Sequence, residues 1–310
     1  MGTMLAGQGV VGASVSLVQL ITALSASQKS NSTVSFDGRE ESRKAAYQFF
    51  GANTAFMFVG LITFLVLQRT NLYSDMKSKS DNAKSTLTDV LAQEAARQEQ
   101  ANHGQLGSPI ASVSGIKRYM SYQTQQQFAR VASTQKKVVL ACISIAYIFV
   151  ITLALFPALT ARVQSTNDSL STIVFVALHF FIFNMGDLIG RSLPSISPRL
   201  FLFRKIKVIA ALCLLRTAFV PLLAYCNVSS SSHDSPSSFS LFGDPIFFSL
   251  MALLGLSNGL FATSVFVIGP RQDNLTEPND QNLAAGLLSW WLTFGLAIGS
   301  LSSFIVAASV

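Results

Sequence analysis

The chain has 310 residues, half of them hydrophobic and only 12% charged, with 24 Phe, a mean hydropathy of +0.45 and a formal charge of +7. A soluble chain carries about a quarter of its residues as Asp, Glu, Lys and Arg, so this composition excludes an ordinary globular domain and points to an integral membrane protein. The basic residues sit in loops between apolar runs, which excludes a nucleic-acid surface, and Cys142, Cys213 and Cys226 follow no disulfide or metal-ligand spacing, so neither a metal nor a cofactor is expected.

Spanning the roughly 30 Å apolar core of a bilayer takes about 20 residues of helix. Seven runs meet that length, near residues 3–26, 46–68, 138–160, 170–193, 206–226, 246–268 and 283–306. The expected fold class is all-α, a polytopic membrane bundle of seven transmembrane helices. Residues 1–69 hold two of them, 70–137 form a polar cytosolic loop, and 138–310 form a five-helix bundle. The first run starts next to Met1 without a basic leader and is too long for a signal-peptide core, so it reads as a span.

That first run opens with Gly7-Gln8-Gly9-Val10-Val11-Gly12, the spacing of a dinucleotide-binding fingerprint. The fingerprint works only between a strand and a helix, and no strand precedes it here. Gly9 and Gly12, with Ala13 and Ser16, read instead as a small-residue ridge for close helix packing. The same device recurs as Gly186-x-x-x-Gly190, Gly255-x-x-x-Gly259 and Gly295-x-x-x-Gly299.

The 70–137 segment is rich in Ser, Thr, Gln, Lys and Asp and reads as disordered, with a surface-helix pattern over 86–100. Counting basic residues favours a cytosolic N-terminus and an external C-terminus, by sixteen inside to five outside, with Arg216 left within a span. The sequons at Asn31, Asn167 and Asn227 then fall outside and that at Asn274 inside.

The densest chemical signal lies between Phe180 and Pro194, FFIFNMGDLIGRSLP. A charge at bilayer depth costs roughly 2.5–3.5 kcal/mol on insertion scales and usually marks a substrate or ion path. Asn184 to Asp187 is three residues and Asp187 to Arg191 is four, so at helical spacing all three share one face. Arg191 lies near the run's end, where a long side chain also reaches the interface. Further polar groups within spans are His179, which reads as a hydrogen-bonded packing residue, the Ser257-Asn258 pair, and Arg216. Arg216 reads either as a structural partner for Asp187 or for a backbone carbonyl, or as a gate or substrate contact, with Pro221 able to kink the helix that carries it or free a carbonyl.

These residues carry a family resemblance. Phe183-Asn184-x-x-Asp187-x-x-Gly190-Arg191-x-Leu193 resembles the signature of the equilibrative nucleoside transporters. Gly7-Gln8-Gly9-x-x-Gly12, Phe156-Pro157-Ala158, Arg216-x-x-Phe219-Val220-Pro221-Leu222-Leu223, Ser257-Asn258-Gly259 and Phe294-Gly295-Leu296-Ala297-x-Gly299 match further family helices in order. The resemblance implies helices five to eleven of eleven, a partial major-facilitator-like fold, and association with an absent N-terminal part. It implies facilitated nucleoside transport by alternating access in the plasma membrane or an internal (vacuolar or endosomal) membrane, with no enzymatic activity. Asp187, Arg191 and Asn184 are then expected to contact the nucleoside. Gly7, Gly9, Gly12, Gly186, Gly190, Arg216 and Asn258 are expected to serve packing or line the cavity. The alternatives are a non-transporting membrane scaffold or regulatory fragment derived from the family and an intramembrane enzyme. The second lacks a metal cluster, a nucleophile–base pair or paired acids.

Overall fold

In the computed structural model, residues 2–32, 38–70, 74–75, 77–78, 110–167, 170–198, 205–226 and 242–309 are described. Among the described residues the α-helices are α1 (Gly2–Ser32), α2 (Gly38–Gln68), α3 (Ile110–Leu155), α4 (Thr172–Ile196), α5 (Ile206–Leu215), α6 (Phe219–Ala224), α7 (Asp244–Ile268) and α8 (Pro278–Ser309). Among the described residues there is no strand, and only an isolated bridge joins Cys226 to Phe242. The chain is an all-α membrane protein, and its described residues include six helical stretches long and apolar enough to cross a bilayer, plus the shorter apolar stretch Met57–Gln68. The expected loop helix at 86–100 and the Asn227 sequon lie outside the described residues, while 110–137 form the first part of α3.

The chain divides into two units, Phe50–Arg130 and Met1–Phe49 with Val131–Val310. In the smaller unit the apolar end of α2 exposes Met57, Phe58, Ile62 and Phe64.

The larger unit contains the remaining spans, and local chemistry sets their ends. Helix α3 stops at Leu155 because the residue before Pro157 is biased out of the helical region. Helix α4 starts at Ser171, whose side chain accepts from the Val174 N–H at 3.4 Å. The span Ile206–Ala224 is broken by a 3-10 turn at Arg216–Ala218, one turn before Pro221, whose ring clashes with the carbonyl four residues earlier. Helix α7 opens with Asp244-Pro245, and the Asp244 carboxylate accepts from Ser165 Oγ at 2.5 Å and Thr166 N at 2.8 Å, tying the preceding loop to the helix start.

Two apolar clusters stack along these helices. One joins Val138 and Ile145 of α3, Ile209 and Cys213 of α5, Val265 and Phe266 of α7, and Leu288 of α8. The other joins Leu155 of α3, Phe175 and Phe183 of α4, Leu223 of α6, and Phe247, Met251 and Leu254 of α7. On α3, α5–α6 and α7 the residues between the two clusters include Thr152, Arg216 and Asn258, all buried. A polar layer therefore lies between two apolar slabs.

Candidate functional site

The layer is built on the seam between α4 and α7. A methyl group at Gly186 would stand 2.7 Å from the Ala252 carbonyl oxygen, and one at Gly190 would overlap the Leu256 carbonyl. In return, Gly255 and Gly259 of α7 face the carbonyls of Phe183 and Asp187. The two small-residue pairs interlock backbone against backbone, which brings Asn258 of α7 within reach of the polar face of α4.

Asp187 and Arg191 meet as the one-turn spacing predicts, with Arg191 Nε donating to Asp187 Oδ2 at 2.6 Å. Arg191 is 7% exposed and turned inward onto Asp187, so the expected alternative of a side chain reaching the interface is not realised. The other carboxylate oxygen, Oδ1, accepts from Asn258 Nδ2 at 2.7 Å. Asn258 Oδ1 accepts from the Thr152 hydroxyl at 2.8 Å, and Thr152 Oγ1 accepts from Arg216 Nη2 at 2.7 Å. Arg216 Nη1 donates to the Leu254 carbonyl at 3.2 Å and to Ser257 Oγ. Arg216 is thus a partner of a backbone carbonyl, and its hydrogen-bonded path to Asp187 runs through Thr152 and Asn258.

Helix α1 closes the other side. Gly9 lies so close that an added methyl would be 3.1 Å from Arg191 Cδ and from Leu188 Cα, and one at Gly12 would be 2.6 Å from Asn184 Oδ1. Gln8 Oε1 accepts from Arg191 Nη1 at 3.3 Å. Asn184 donates to its own helix, Nδ2 to the Phe180 carbonyl at 2.9 Å, and stands beside the pair without bonding to it. Nothing lies within 4 Å of a methyl at Gly7. His179 is separate from the layer: Nδ1 lies 3.2 Å from the Phe175 carbonyl and the ring sits edge-on to Phe156, Phe180 and Phe247.

Two participants went unread in the sequence. Gln8 was hidden between the glycines of a motif that drew attention to its neighbours. Thr152 looks like any threonine in an apolar helix, where the hydroxyl sits against the carbonyl four residues back, and here too its Oγ1 lies 2.7 Å from the Ile148 carbonyl.

Chemically, the layer offers one carboxylate and two guanidinium groups. Asp187 uses two of roughly four acceptor positions, and Arg191 uses two of five N–H donors, so both retain capacity for a ligand that donates and accepts. Among the described residues no group of three His, Cys, Asp or Glu side chains is placed to hold a metal ion.

The model of a family described as nucleoside transporter matches residues 1–308. Equilibrative nucleoside transporter 1 of Mus musculus is 26% identical over 99% of this chain and 62% of its own length, and its Homo sapiens counterpart is 26% identical over 99% and 61%. Nucleoside transporter FUN26 of Saccharomyces cerevisiae is 32% identical over 53% of this chain and 31% of its own length. The chain thus spans about three-fifths of the length of the relatives that it matches end to end.

Proposed function

This chain belongs to the nucleoside transporter family, and we propose that it takes part in facilitated, bidirectional transfer of nucleosides across a membrane by alternating access. The observation that carries the reading is the buried Asp187–Arg191 pair, held at 2.6 Å yet with spare donors and acceptors. Burying two charges is costly, and a purely structural site of this kind is often matched in stability by apolar residues. Retaining the pair at bilayer depth is reasonable where a polar ligand must be recognised. A nucleoside offers hydroxyl and ring N–H donors to Asp187 and hydroxyl, ring nitrogen and carbonyl acceptors to Arg191. Asn184 stands beside them as a third contact. Gly9 and Gly12 bring α1 against this face, and Gly186 and Gly190 set its depth against α7. Association with the family's N-terminal helices would complete the cavity opposite α1.

The test is uptake of labelled adenosine and uridine into proteoliposomes, with the chain alone and with the chain joined to the N-terminal helices of a relative. Saturable uptake that equilibrates, and is accelerated by unlabelled nucleoside on the far side, supports the reading. Uptake no greater than in empty liposomes for both forms overturns it.

A further inference from the structure

We propose that Thr152 and Arg216 are positioning residues for Asp187, acting through Asn258 rather than by contact with substrate. The functional consequence rests on the substrate role of Asp187, whereas the relay itself does not.

The directions of the hydrogen bonds carry the inference. Arg216 Nη2 donates to Thr152 Oγ1 at 2.7 Å, Thr152 faces Asn258 Oδ1 at 2.8 Å, and Asn258 Nδ2 donates to Asp187 Oδ1 at 2.7 Å. Thr152 has one hydroxyl proton and two acceptors in reach, Asn258 Oδ1 and the Ile148 carbonyl. The Ile148 carbonyl already accepts the backbone N–H of its own helix, while Thr152 is the one protein donor to Asn258 Oδ1 among the described bonds, so the proton satisfies the amide. Every link then donates toward the carboxylate, the arrangement in which successive hydrogen bonds strengthen one another.

The mechanical case is independent of the charges. An asparagine amide turns in a broad torsional well, so Asn258 alone would aim loosely. Thr152 is stiff at its first torsion, and it pins the far end of the amide. Arg216 in turn clamps Thr152 on α3 to Leu254 and Ser257 on α7, the helix that carries Asn258. One guanidinium therefore ties α3 to α7 at the level of Asn258 and steadies the aim of its amide. Arg216 is 2% exposed and bonds to no carboxylate among the described residues, which leaves Asp187, two neutral side chains away, as the acid toward which its charge is directed. A buried arginine kept only for packing would not need this aimed chain.

The experiment uses the full chain, in the transporting form where one is found. Thr152→Val removes the hydroxyl at nearly constant volume. Nucleoside KM is expected to rise about fivefold to tenfold, with maximal rate and folded yield within about twofold of the parent, and Thr152→Ser is expected to restore KM. Arg216→Lys is expected to raise KM in the parent and to add nothing further once Thr152 is Val. Additive effects of the two substitutions, an unchanged KM in Thr152→Val, or failure of Thr152→Ser to restore it would each overturn the relay. Thr152→Ala replaces Thr152→Val where the valine variant does not fold. A second readout needs no transport: in protein labelled with nitrogen-15 asparagine, the Asn258 side-chain amide resonance is identified by its loss in Asn258→Ser. Arg216→Lys is expected to shift that resonance when residue 152 is Thr or Ser and to leave it in place when residue 152 is Val or Ala. A shift of equal size in both backgrounds overturns the relay, and absence of uptake by the parent overturns the transport reading while this resonance still decides the relay.

Discussion

Helix α4 presents two faces with small residues at both, and they are used differently. Against α7, Gly186 and Gly190 lie on carbonyl oxygens of the neighbouring backbone, and Gly255 and Gly259 answer in kind. Against α1, the atoms nearest Gly9 and Gly12 are mostly side-chain atoms, Arg191 Cδ and Asn184 Oδ1, and α1 leaves Val10, Val11, Leu17 and Ile21 exposed. The first seam removes side chains so that backbones touch; the second makes room for the polar side chains of the site itself. In lipid there is no hydrophobic drive between helices, so close van der Waals contact must hold the first seam. The second seam can yield, because what it meets is flexible.

The largest effect should come from the seam that cannot yield. Overpacking costs about 1–3 kcal/mol where side chains are free to shift, and at Gly190 the obstacles are the Leu256 carbonyl and the Leu260 amide. Gly190→Leu is expected to remove most of the monodisperse protein extracted in mild detergent. A normal yield on size-exclusion chromatography would mean that α4 and α7 are not in backbone contact.

Next comes the charge that the rigid seam delivers to the site. Asp187→Asn keeps the shape but removes the charge that balances Arg191 and leaves one acceptor oxygen for two donors, Arg191 Nε and Asn258 Nδ2. Losing one member of a buried, hydrogen-bonded charge pair typically costs about 2–5 kcal/mol. If that cost falls on substrate, nucleoside affinity should drop by at least about tenfold while surface expression stays near normal. Wild-type uptake, or a collapse of expression alone, would refute the substrate-contact role.

The two faces also differ in how far they could be read in advance. Three and four residue steps put Asn184, Asp187 and Arg191 on one face without any knowledge of neighbours, because helical period is local. The small-residue pairs were equally legible, but which pair met which was not, since Gly186 and Gly190 meet Gly255 and Gly259 of a helix far along the chain. Asn258 stood out as an amide in an apolar run, yet its two partners come from α3 and α4, and Thr152 gives no signal that separates it from a threonine bonded to its own helix. Helix α3 begins at Ile110 rather than near 138 because hydropathy detects the part of a helix that suits lipid and is silent on a polar extension. Helix α4 passes Pro194 to reach Ile196, so the donor that the proline lacks and the strain of its ring fall in the last turn of the helix.

On the yielding seam the expected effect is smaller. Gly12→Ala places a methyl 2.6 Å from Asn184 Oδ1, an atom at the end of a rotatable side chain. Folded yield should hold, and nucleoside KM should rise by about threefold to fivefold as Asn184 turns away, an effect within the range of about 0.5–3 kcal/mol for coupled neighbours. Repeating the substitution in an Asn184→Ala background should abolish most of the difference. If the yield falls as it does for Gly190→Leu, the α1 seam is as rigid as the α7 seam and the contrast between them fails.

The smallest effect separates two glycines that the motif treats alike. Gly7 and Gly9 belong to one Gly-Gln-Gly unit, but a methyl at Gly9 would press on Leu188 Cα and Arg191 Cδ at 3.1 Å, whereas one at Gly7 would meet nothing within 4 Å. At 3.1 Å the neighbours must retreat by a few tenths of an ångström, and the carbon of Leu188 is backbone. Gly9→Ala should therefore push α1 away from Arg191, lengthening the 3.3 Å contact from Arg191 Nη1 to Gln8, with a loss of thermal stability that Gly7→Ala does not share. Gly7→Ala has the opposite balance, since it gains up to about 1 kcal/mol of helix propensity and clashes with nothing. A melting temperature at or above that of the parent is expected for Gly7→Ala, and a lower one for Gly9→Ala. Equal losses at both positions would show that Gly7, too, lies against a surface, and that α1 is packed on a second side as tightly as on the side that faces α4.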